Sequence, residues 1–331
     1  MKRVTITDVA NMAGVSISTV SRYLADPGSI RPISAVAIEK AVKELRYVPN
    51  PFAQNMKRES TKTIAVIVPD ISDQFFSTAC KALCNLFYQN KYFVTICDTD
   101  GDPEKERYYL SEMIKLRVGG IALVTCGQNA DAIQAAIDSG ARITLFDRAE
   151  PMVAADCVCE DNKRSGYELT RHLIGRGHRR FAVLSGLEKS INMRYILSGV
   201  SAALAEAGCA AEERYCFRNL RSKESAVAAV ERLVGDEKYP SCIIACNSVL
   251  LDGVVLAAGR LRLPIPERCE IAGFCIDDLR YKYPFPITAI MENPTLLGLK
   301  AGELILRRLK SKSPALPPKQ IMLNAQLILP D

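Results

Sequence analysis

The first 48 residues place apolar side chains at the spacing of amphipathic helices. In the first predicted helix the apolar residues that share one face are Ile6, Val9, Ala10 and Ala13. Thr5 and Asp8 match a capping box, with a hydroxyl at the cap and a carboxylate three residues later. Gly14 is expected to end this helix.

Two more helices are predicted before residue 48. Ser16 can cap the second helix, which carries Val20 and Leu24 toward the interior. The Asp-Pro-Gly sequence at 26–28 is a turn signal, and Pro32 suits the first turn of a third helix. The apolar residues of that third helix are Val36, Ile38, Ala41, Val42 and Leu45.

From residue 62 the pattern changes to apolar runs of strand length that alternate with helical stretches. The strand-like runs include 63–68, 92–97, 119–124, 142–146, 181–186, 241–246 and 270–274. Helical stretches include 103–117 and 162–176. This alternation predicts an α/β fold with parallel sheets. Because the segment exceeds 250 residues, two lobes are expected rather than one small sheet.

Composition adds one asymmetry to this picture. The chain has 331 residues, of which 48% are hydrophobic and 24% charged, as in ordinary globular proteins. Its net charge is +6, and residues 1–60 carry nine basic against five acidic side chains. The other 271 residues are nearly neutral, with 34 basic and 32 acidic side chains. A small basic module joined to a neutral body is therefore predicted.

The chain shows no apolar run of 18 residues and no apolar signal-peptide segment, so a cytoplasmic protein without a membrane partner is expected. Without an export signal, its twelve cysteines are expected to stay reduced. No CxxC pair repeats, which argues against a zinc site, and no other metal site is predicted.

The tight link at 13–16 between the first two helices predicts a helix-turn-helix. Its second helix can face a DNA major groove with Ile17, Ser18, Ser21 and Arg22. Arg22 can contact guanine O6 and N7, and Ile17 a thymine methyl group. Candidate phosphate contacts are Thr5, Ser16, Thr19, Ser21 and Ser34. The competing interpretation is a three-helix bundle with a solvated face.

Extended motifs resemble the LacI (lactose-repressor) family of bacterial regulators. The first are TITDVANMAGVSISTVSRYL at 5–24 and ELRYVPNPFAQNMKRES at 44–60. Further motifs follow in the family's order: IAVIVPDISDQFF at 64–76, RVGGIAL at 117–123, LFDR at 145–148, EDN at 160–162, GHRRFAVLSG at 177–186 and ITAIMENPTLLG at 287–298. The resemblance covers essentially the whole chain.

The resemblance implies a headpiece at 1–48, a hinge at 49–61 and an effector-binding and dimerisation body at 62–331, similar to periplasmic sugar-binding proteins. It implies a first lobe at 62–162 and 292–322 and a second at 163–291 and 323–331. On operator DNA the hinge would form a helix in the minor groove, with Met56 as an apolar wedge. Other hinge contacts would be Asn50, Ala53, Gln54 and Lys57. Alternatively, Met56 is a linker residue without a contact.

One headpiece reads only a few base pairs, so specific binding needs two half-sites related by two-fold symmetry. A homodimer on a near-palindromic operator in double-stranded DNA is therefore expected, with repression as the usual outcome in the family. Whether two dimers join into a tetramer stays open.

The resemblance also implies a small-molecule effector between the lobes, near the carboxyl ends of the strands. Carried over one position at a time, the cleft residues are Phe75, Phe76, Arg148, Asp161, Arg194, Asn247, Cys275 and Glu292. Either phenylalanine can stack on a ligand, and the arginines can clamp hydroxyl, carboxylate or phosphate groups. Alternatively, Asp161 caps the helix that starts at Asn162, and Arg148 pairs with Asp147 or Glu150.

The family pattern is broken at Ile196, Ser248 and Cys275, where groups that grip sugar hydroxyls are usual. A neutral hexose would lose several hydrogen bonds, each worth about 0.5–1.5 kcal/mol. The expected effector is a sugar, sugar acid or sugar phosphate, and three explanations of the departures stay open. The effector is less polar, differently shaped or acidic; a register slip brings Asp277 into the cleft; or the effector response is lost.

Two other classes of protein fit less well. An enzyme would need chemistry-bearing motifs, and GxSxG, GxxxxGK[ST] and HExxH are all missing. The two histidines are His172 and His178, and His178 follows Gly177 in a helix-ending turn. A solute-binding protein of a transporter would need a signal peptide. The sequence therefore predicts a ligand-controlled regulator without catalysis or cofactor.

Overall fold

A computed structural model describes residues 4–47, 61–209, 211–236, 239–276, 283–311 and 316–330. The chain divides into two compact units, Met1–Thr61 and Lys62–Asp331, called the headpiece and the body below. The hinge residues Asn50, Ala53, Gln54, Met56 and Lys57 lie outside the described residues, so the hinge helix stays a prediction.

The headpiece contains the three predicted helices, α1 (Ile6–Ala13), α2 (Ile17–Ala25) and α3 (Pro32–Glu44). The predicted capping box is confirmed, since Asp8 N donates to Thr5 Oγ1 over 3.4 Å and Thr5 N to Asp8 Oδ2 over 2.8 Å. Gly14 ends α1 in the left-handed conformation, with φ of 66°. The DPG segment forms a short 3₁₀ turn.

The headpiece has a small core of its own. Its buried members are Val9, Ala10, Val20, Ile38 and Ala41. Leu24 packs against this core while staying partly exposed. Val36 does not join this core, because it is 68% exposed, and Ile33 of the same helix is 86% exposed.

The first lobe of the body holds a six-stranded sheet in the order β11-β5-β4-β3-β1-β2, in which every pairing is parallel. Its strands are β1 (Thr63–Val68), β2 (Phe93–Asp98), β3 (Gly120–Leu123), β4 (Ile143–Phe146), β5 (Asp156–Glu160) and β11 (Gln320–Leu323). Its helices are α4 (Gln74–Gln89), α5 (Pro103–Lys115), α6 (Ala130–Asp138) and α11 (Pro294–Lys310). Helices α4 and α11 cover one face, and α5 and α6 the other.

The second lobe repeats this architecture with the order β12-β10-β9-β8-β6-β7. Its strands are β6 (Phe181–Leu184), β7 (Cys216–Phe217), β8 (Cys242–Ala245), β9 (Glu270–Cys275), β10 (Ile287–Met291) and β12 (Gln326–Ile328). Strand β12 pairs antiparallel with β10, and the other pairings are parallel. Its helices are α7 (Asn162–Gly175), α8 (Ile191–Glu206), α9 (Lys223–Val234) and α10 (Ser248–Leu261). The predicted two-lobed α/β fold is confirmed.

Close packing of α7 on α8 holds one wall of the second lobe in place. A Cβ atom at Gly199 would lie 2.0 Å from the carbonyl oxygen of Lys163, and one at Gly166 would lie 2.4 Å from that of Ile196. Only glycine permits this approach of two helix backbones. The contact positions the first turn of α8, which faces the space between the lobes.

His178 has a structural role beneath the second sheet. Its Nε2 lies 2.9 Å from Glu270 Oε2 and its Nδ1 lies 3.0 Å from Ser241 Oγ. Arg176 Nε also donates to Glu270, over 3.0 Å. These bonds tie the turn after α7 to the beginnings of β8 and β9, at the sheet edge opposite the strands' carboxyl ends.

No helix among the described residues combines the length and apolar character needed to cross a membrane.

Candidate DNA-recognition helix and effector cleft

Helix α2 presents polar side chains on its exposed side. Ser16 caps it by accepting a hydrogen bond from Thr19 N over 3.2 Å. The Ser16 hydroxyl also lies 2.7 Å from the Ser18 hydroxyl and 2.8 Å from that of Thr19. Small hydroxyl side chains therefore cluster at the beginning of this helix.

The residues of α2 predicted to read bases are accessible. Ile17 is 48% exposed, although it is apolar. Arg22 is exposed, and among the described residues it has no ion-pair partner. Because an unpaired guanidinium keeps its donors available, Arg22 can contact a guanine edge. A three-helix bundle with a solvated face, the competing interpretation, would not require an exposed arginine without an ion pair at this position.

The predicted phosphate contacts differ in exposure. Thr5 and Ser16 are exposed at the N-termini of α1 and α2. Thr19, Ser21 and Ser34 are partly buried. Helix N-termini attract phosphate through free backbone N–H groups, so Thr5 and Ser16 have the more favourable positions.

The body contains a cavity of about 610 Å³ between the two lobes. It lies at the carboxyl ends of the parallel strands, where open α/β sheets usually bind ligands. The cavity lining includes five of the eight predicted effector residues: Phe75, Phe76, Arg148, Asn247 and Glu292.

Two aromatic rings form an apolar part of the lining. Phe75 and Phe76 follow the N-cap Asp73 of α4, and their ring centroids lie 5.3 Å apart at an interplanar angle of 84°. On the second lobe, Met193 and Ile196 add buried apolar surface. The cavity can therefore hold an apolar ligand face against its polar groups.

Arg148 is anchored inside the cavity rather than on the outer surface. Its Nη1 donates to the carbonyl oxygen of Thr125 over 3.3 Å, and its Nε lies 3.5 Å from Asp147 Oδ2. The guanidinium carbon lies 5.9 Å from the centroid of the Phe76 ring. The alternative pairing of Arg148 with Asp147 thus occurs, but within the lining.

Several carboxyl groups lie near Arg148 on the first-lobe side of the cavity. Burial raises the pKa of Asp147 to about 6, against the opposing effects of Arg148 and of a hydrogen bond from Asn192. Burial likewise raises the pKa of Glu160 to about 7. Burial and the neighbouring carboxyls raise the pKa of Glu292 well above its usual value, and burial raises that of Asp73.

The second lobe contributes three helix N-termini to the cavity. Its lining includes the N-cap residues of α8, α9 and α10, which are Ser190, Ser222 and Asn247. Asn247 accepts a hydrogen bond from Leu250 N over 2.8 Å through Oδ1, which leaves its amide nitrogen as a donor. Basic side chains at this wall are Lys189, Arg221 and Lys223.

The lining does not include Asp161, Arg194 or Cys275. Asp161 caps α7 by accepting a hydrogen bond from Arg164 N over 3.0 Å, as its structural alternative predicted. Arg194 is exposed. Met193 and Ile196 lie on the face of α8 that lines the cavity, and Arg194, two positions before Ile196, lies on another face of the helix. Cys275 is buried at the end of β9.

Sequence reasoning missed several lining residues, among them Asp73, Asp147, Lys189, Asn192 and Arg221. The position of Asp73 could have been predicted from the sequence. An aspartate just before an apolar helical run is a typical N-cap, and this helix begins after the carboxyl end of strand β1. Asp147 and Asn192 lie 45 positions apart, and no local pattern joins them. No metal-binding cluster of three or more His, Cys, Asp or Glu side chains occurs within the described ranges.

Two family models match this chain, one within the headpiece and one within the body. Residues 5–50 match the model of bacterial regulatory proteins of the lacI family. Residues 170–329 match a periplasmic binding protein-like domain.

Curated relatives extend this likeness over almost the whole chain. The HTH-type transcriptional repressor PurR of Vibrio atlanticus is 30% identical over 311 residues, which cover 93% of this chain and 92% of that protein. PurR of Actinobacillus pleuropneumoniae is 27% identical over 98% of this chain and 97% of its own length.

Solved structures share the fold. The lac repressor dimer bound to operator and the anti-inducer ONPF is 21% identical, with a TM-score of 0.85 over 99% of this chain and 98% of that one. The complex of the transcriptional regulator CelR with cellobiose is 22% identical, with a TM-score of 0.71 over 99% of both chains. From the full-length sequence match, the lacI model and the two-lobed body, we conclude that this chain belongs to the lacI family of bacterial regulatory proteins.

Proposed function

We propose that this protein is a transcriptional repressor that binds a near-palindromic operator as a homodimer and responds to a small molecule in the cleft between its lobes. The observation that carries the proposal is helix α2, in a headpiece that matches the lacI model. It combines an accessible Ile17 with an exposed Arg22 that has no ion-pair partner in the described part of the chain. The protein would act in the cytoplasm, where its operator is, and the body would serve binding rather than catalysis.

Base reading is assigned to α2. Arg22 would form a bidentate contact with guanine, and Ile17 would contact a thymine methyl group. Hydroxyls at the helix N-termini, such as those of Thr5 and Ser16, would fix the register through phosphates. Met56 would act as a minor-groove wedge, with Asn50, Ala53, Gln54 and Lys57 beside it.

Dimerisation is assigned to the edge of the first lobe. Strand β2 is the last strand of its sheet, and its Phe93 and Ile96 are 70% and 41% exposed. Tyr88, near the end of α4, is 76% exposed. An exposed apolar edge strand is a liability in a monomer, and pairing with a second copy would cover it.

The cleft is assigned to an effector. CelR is described with cellobiose and the lac repressor with an anti-inducer, and both share the two-lobed fold. In this chain the cavity has aromatic, amide and charged groups from both lobes, as a specific ligand site requires. A ligand that favours one arrangement of the lobes would change operator affinity, and operator would change ligand affinity by the same factor.

The test is selection of double-stranded oligonucleotides from a random pool by the full-length protein. The selected sequences should contain two related half-sites in inverted orientation, because the dimer is two-fold symmetric. Enrichment of a single half-site, or no enrichment above a body-only fragment at 62–331, would reject operator binding as proposed.

A further inference from the structure

Among the described residues, the first-lobe wall of the cavity contains more carboxyl groups than its one basic side chain, Arg148, can neutralise. Asp73, Asp147 and Glu292 all line it, and Glu160 lies directly behind, where it accepts a hydrogen bond from Asn293 N over 3.0 Å. On the first lobe, Arg148 is the one basic side chain among the described lining residues. This wall therefore has an excess of negative groups.

Arg148 is already engaged by other groups. It donates to the Thr125 carbonyl oxygen, faces Asp147 and lies against the ring of Phe76. The positive charge of Arg148 acts to lower the pKa values of Asp73 and Asp147. Burial and three neighbouring carboxyl groups, those of Glu160, Asp147 and Asp73, raise the pKa of Glu292 well above its usual value.

Among the described residues, the carboxyl group of Glu292 has no hydrogen-bond donor. Within the described part of the chain, no group gives a hydrogen bond to its carboxyl oxygens, while its backbone N–H is satisfied by the Cys275 carbonyl oxygen at 2.8 Å. Glu292 is partly buried, and a carboxylate in such a place is poorly stabilised without a donor or a cation. Because Glu292 lines the cavity, a bound ligand can supply the hydrogen-bond donor or the positive charge that its carboxyl group lacks.

The raised pKa values of these acids, caused by burial and mutual repulsion, agree with this view. Each acid retains a proton to higher pH, which neutralises part of the excess charge. A bound cation would remove that need and lower the pKa of each acid, so protons would be released on binding.

The basic side chains on the second-lobe wall would determine how a charged ligand is oriented in the cavity. Lys189 and Arg221 are exposed at the cavity side of the second lobe, and Lys223 is paired with Asp252 at 2.7 Å. Glu224 is the one carboxyl group among the described lining residues of this wall. A positive group on a ligand would be repelled there and attracted to the first lobe. The aromatic pair Phe75 and Phe76 lies next to the carboxyl wall and can hold an apolar or ring-shaped part of the same ligand.

We propose that the effector carries a cationic nitrogen, a protonated amine or guanidine, held by Glu292, Asp147 and Asp73 on the first lobe. The proposal rests on the effector cleft of the proposed function and names the chemistry of its ligand. It differs from the neutral or acidic sugar expected from the sequence resemblance, because the acids that create the negative wall become neighbours only in the folded body.

The experiment compares matched probes that differ in a cationic nitrogen, using the full-length protein. The pairs are glucosamine with glucose and 1,4-diaminobutane with 1,4-butanediol, with agmatine as a guanidine probe. Melting temperature is recorded at millimolar probe, since a ligand that binds the native state raises it. At least one cationic probe should raise the melting temperature above its neutral partner, or above buffer for agmatine. Calorimetry in two buffers of different ionisation enthalpy should then show proton release.

Glu292→Gln should weaken binding of the active probe about 10- to 100-fold, because a charge-assisted hydrogen bond is lost. The exposed control Glu303→Gln should bind as wild type. Equal shifts from neutral partners, no shift from any cationic probe, or unchanged binding by Glu292→Gln would each overturn the proposal. None of these results concerns operator selection, so failure of the ligand assignment is distinguishable from failure of the proposed function.

Discussion

Asn192, in the first turn of α8, donates a hydrogen bond from Nδ2 to Oδ1 of Asp147 over 2.9 Å. The two residues belong to different lobes, and both line the cavity. Asp147 holds a left-handed backbone conformation with φ of 66°, directly after β4. The bond thus links the two lobes through one carboxyl group whose pKa burial has raised to about 6.

We expect Asp147→Asn to change how stability depends on pH. The folded carboxyl has a pKa of about 6, against a usual value of 3.8, because burial disfavours its charged form. Between these values the native state holds a proton that the unfolded chain has released, so this group's contribution to stability falls as pH rises. The variant should gain about 2–3 kcal/mol relative to wild type across that window.

The measurement is urea unfolding of both proteins from about pH 4 to pH 8. Asparagine also tolerates a positive φ, so the backbone is preserved. Asp138→Asn, at an exposed carboxyl that accepts a hydrogen bond from Gln134, is the control. A constant difference between Asp147→Asn and wild type over the whole range would show that this carboxyl does not titrate there.

Arg22→Ala should weaken operator binding by about 1–3 kcal/mol and relax the preference at one base pair in each half-site. The reason is that a bidentate contact to guanine discriminates against other bases, whereas a phosphate contact does not. Fluorescence anisotropy with the selected operator and its single-base variants measures both effects. Lys43→Ala, which removes a headpiece cation paired with Glu39, is the control. Equal weakening on every sequence would contradict base reading by Arg22.

Phe93→Asp should convert the dimer into a monomer at micromolar concentration. The substitution places a charge on the exposed edge strand assigned to the interface, and burying an unpaired charge is costly. We expect the dimer dissociation constant to rise at least about 100-fold, measured by sedimentation equilibrium. Met152→Asp is a matched control, because Met152 is exposed in the loop between β4 and β5, away from β2 in the sheet. A dimer that survives Phe93→Asp would move the interface elsewhere.

Asp156→Ala should lower the free energy of unfolding by about 3 kcal/mol. Asp156 is fully buried and accepts hydrogen bonds from Arg308 Nη2 over 2.9 Å and Lys319 N over 2.7 Å. Removing it leaves the Arg308 guanidinium, itself mostly buried, without its counter-ion. Urea unfolding measures the loss. The exposed pair of Lys300 and Glu303 provides the control, since Glu303→Ala should cost less than about 1 kcal/mol.

Local features were predictable because their causes lie within a few residues. The Thr5 and Asp8 capping box, the glycine that ends α1 and the Ser16 cap each depend on neighbours three or four positions away. The seven apolar runs correspond to observed strands. Six of these strands are buried, and burial of both sheet faces favours continuous apolar residues, whereas the edge strand β2 is largely exposed. The short or half-exposed strands β7, β11 and β12 lack that signal and were missed. The buried strands β5 and β10 were not among the predicted runs either.

The amino-acid pattern alone determined the helix-turn-helix, the α/β class of the body and the family resemblance that located Phe75, Phe76 and Glu292 near the cleft. Tertiary structure decided which charges meet there. Asp147 faces Asn192 across 45 positions, and Glu160 reaches Asn293 across 133. Such contacts form because the chain crosses between two sheets and brings distant strand ends to one edge. Burial at that edge then sets the pKa of each carboxyl, which no local spacing encodes.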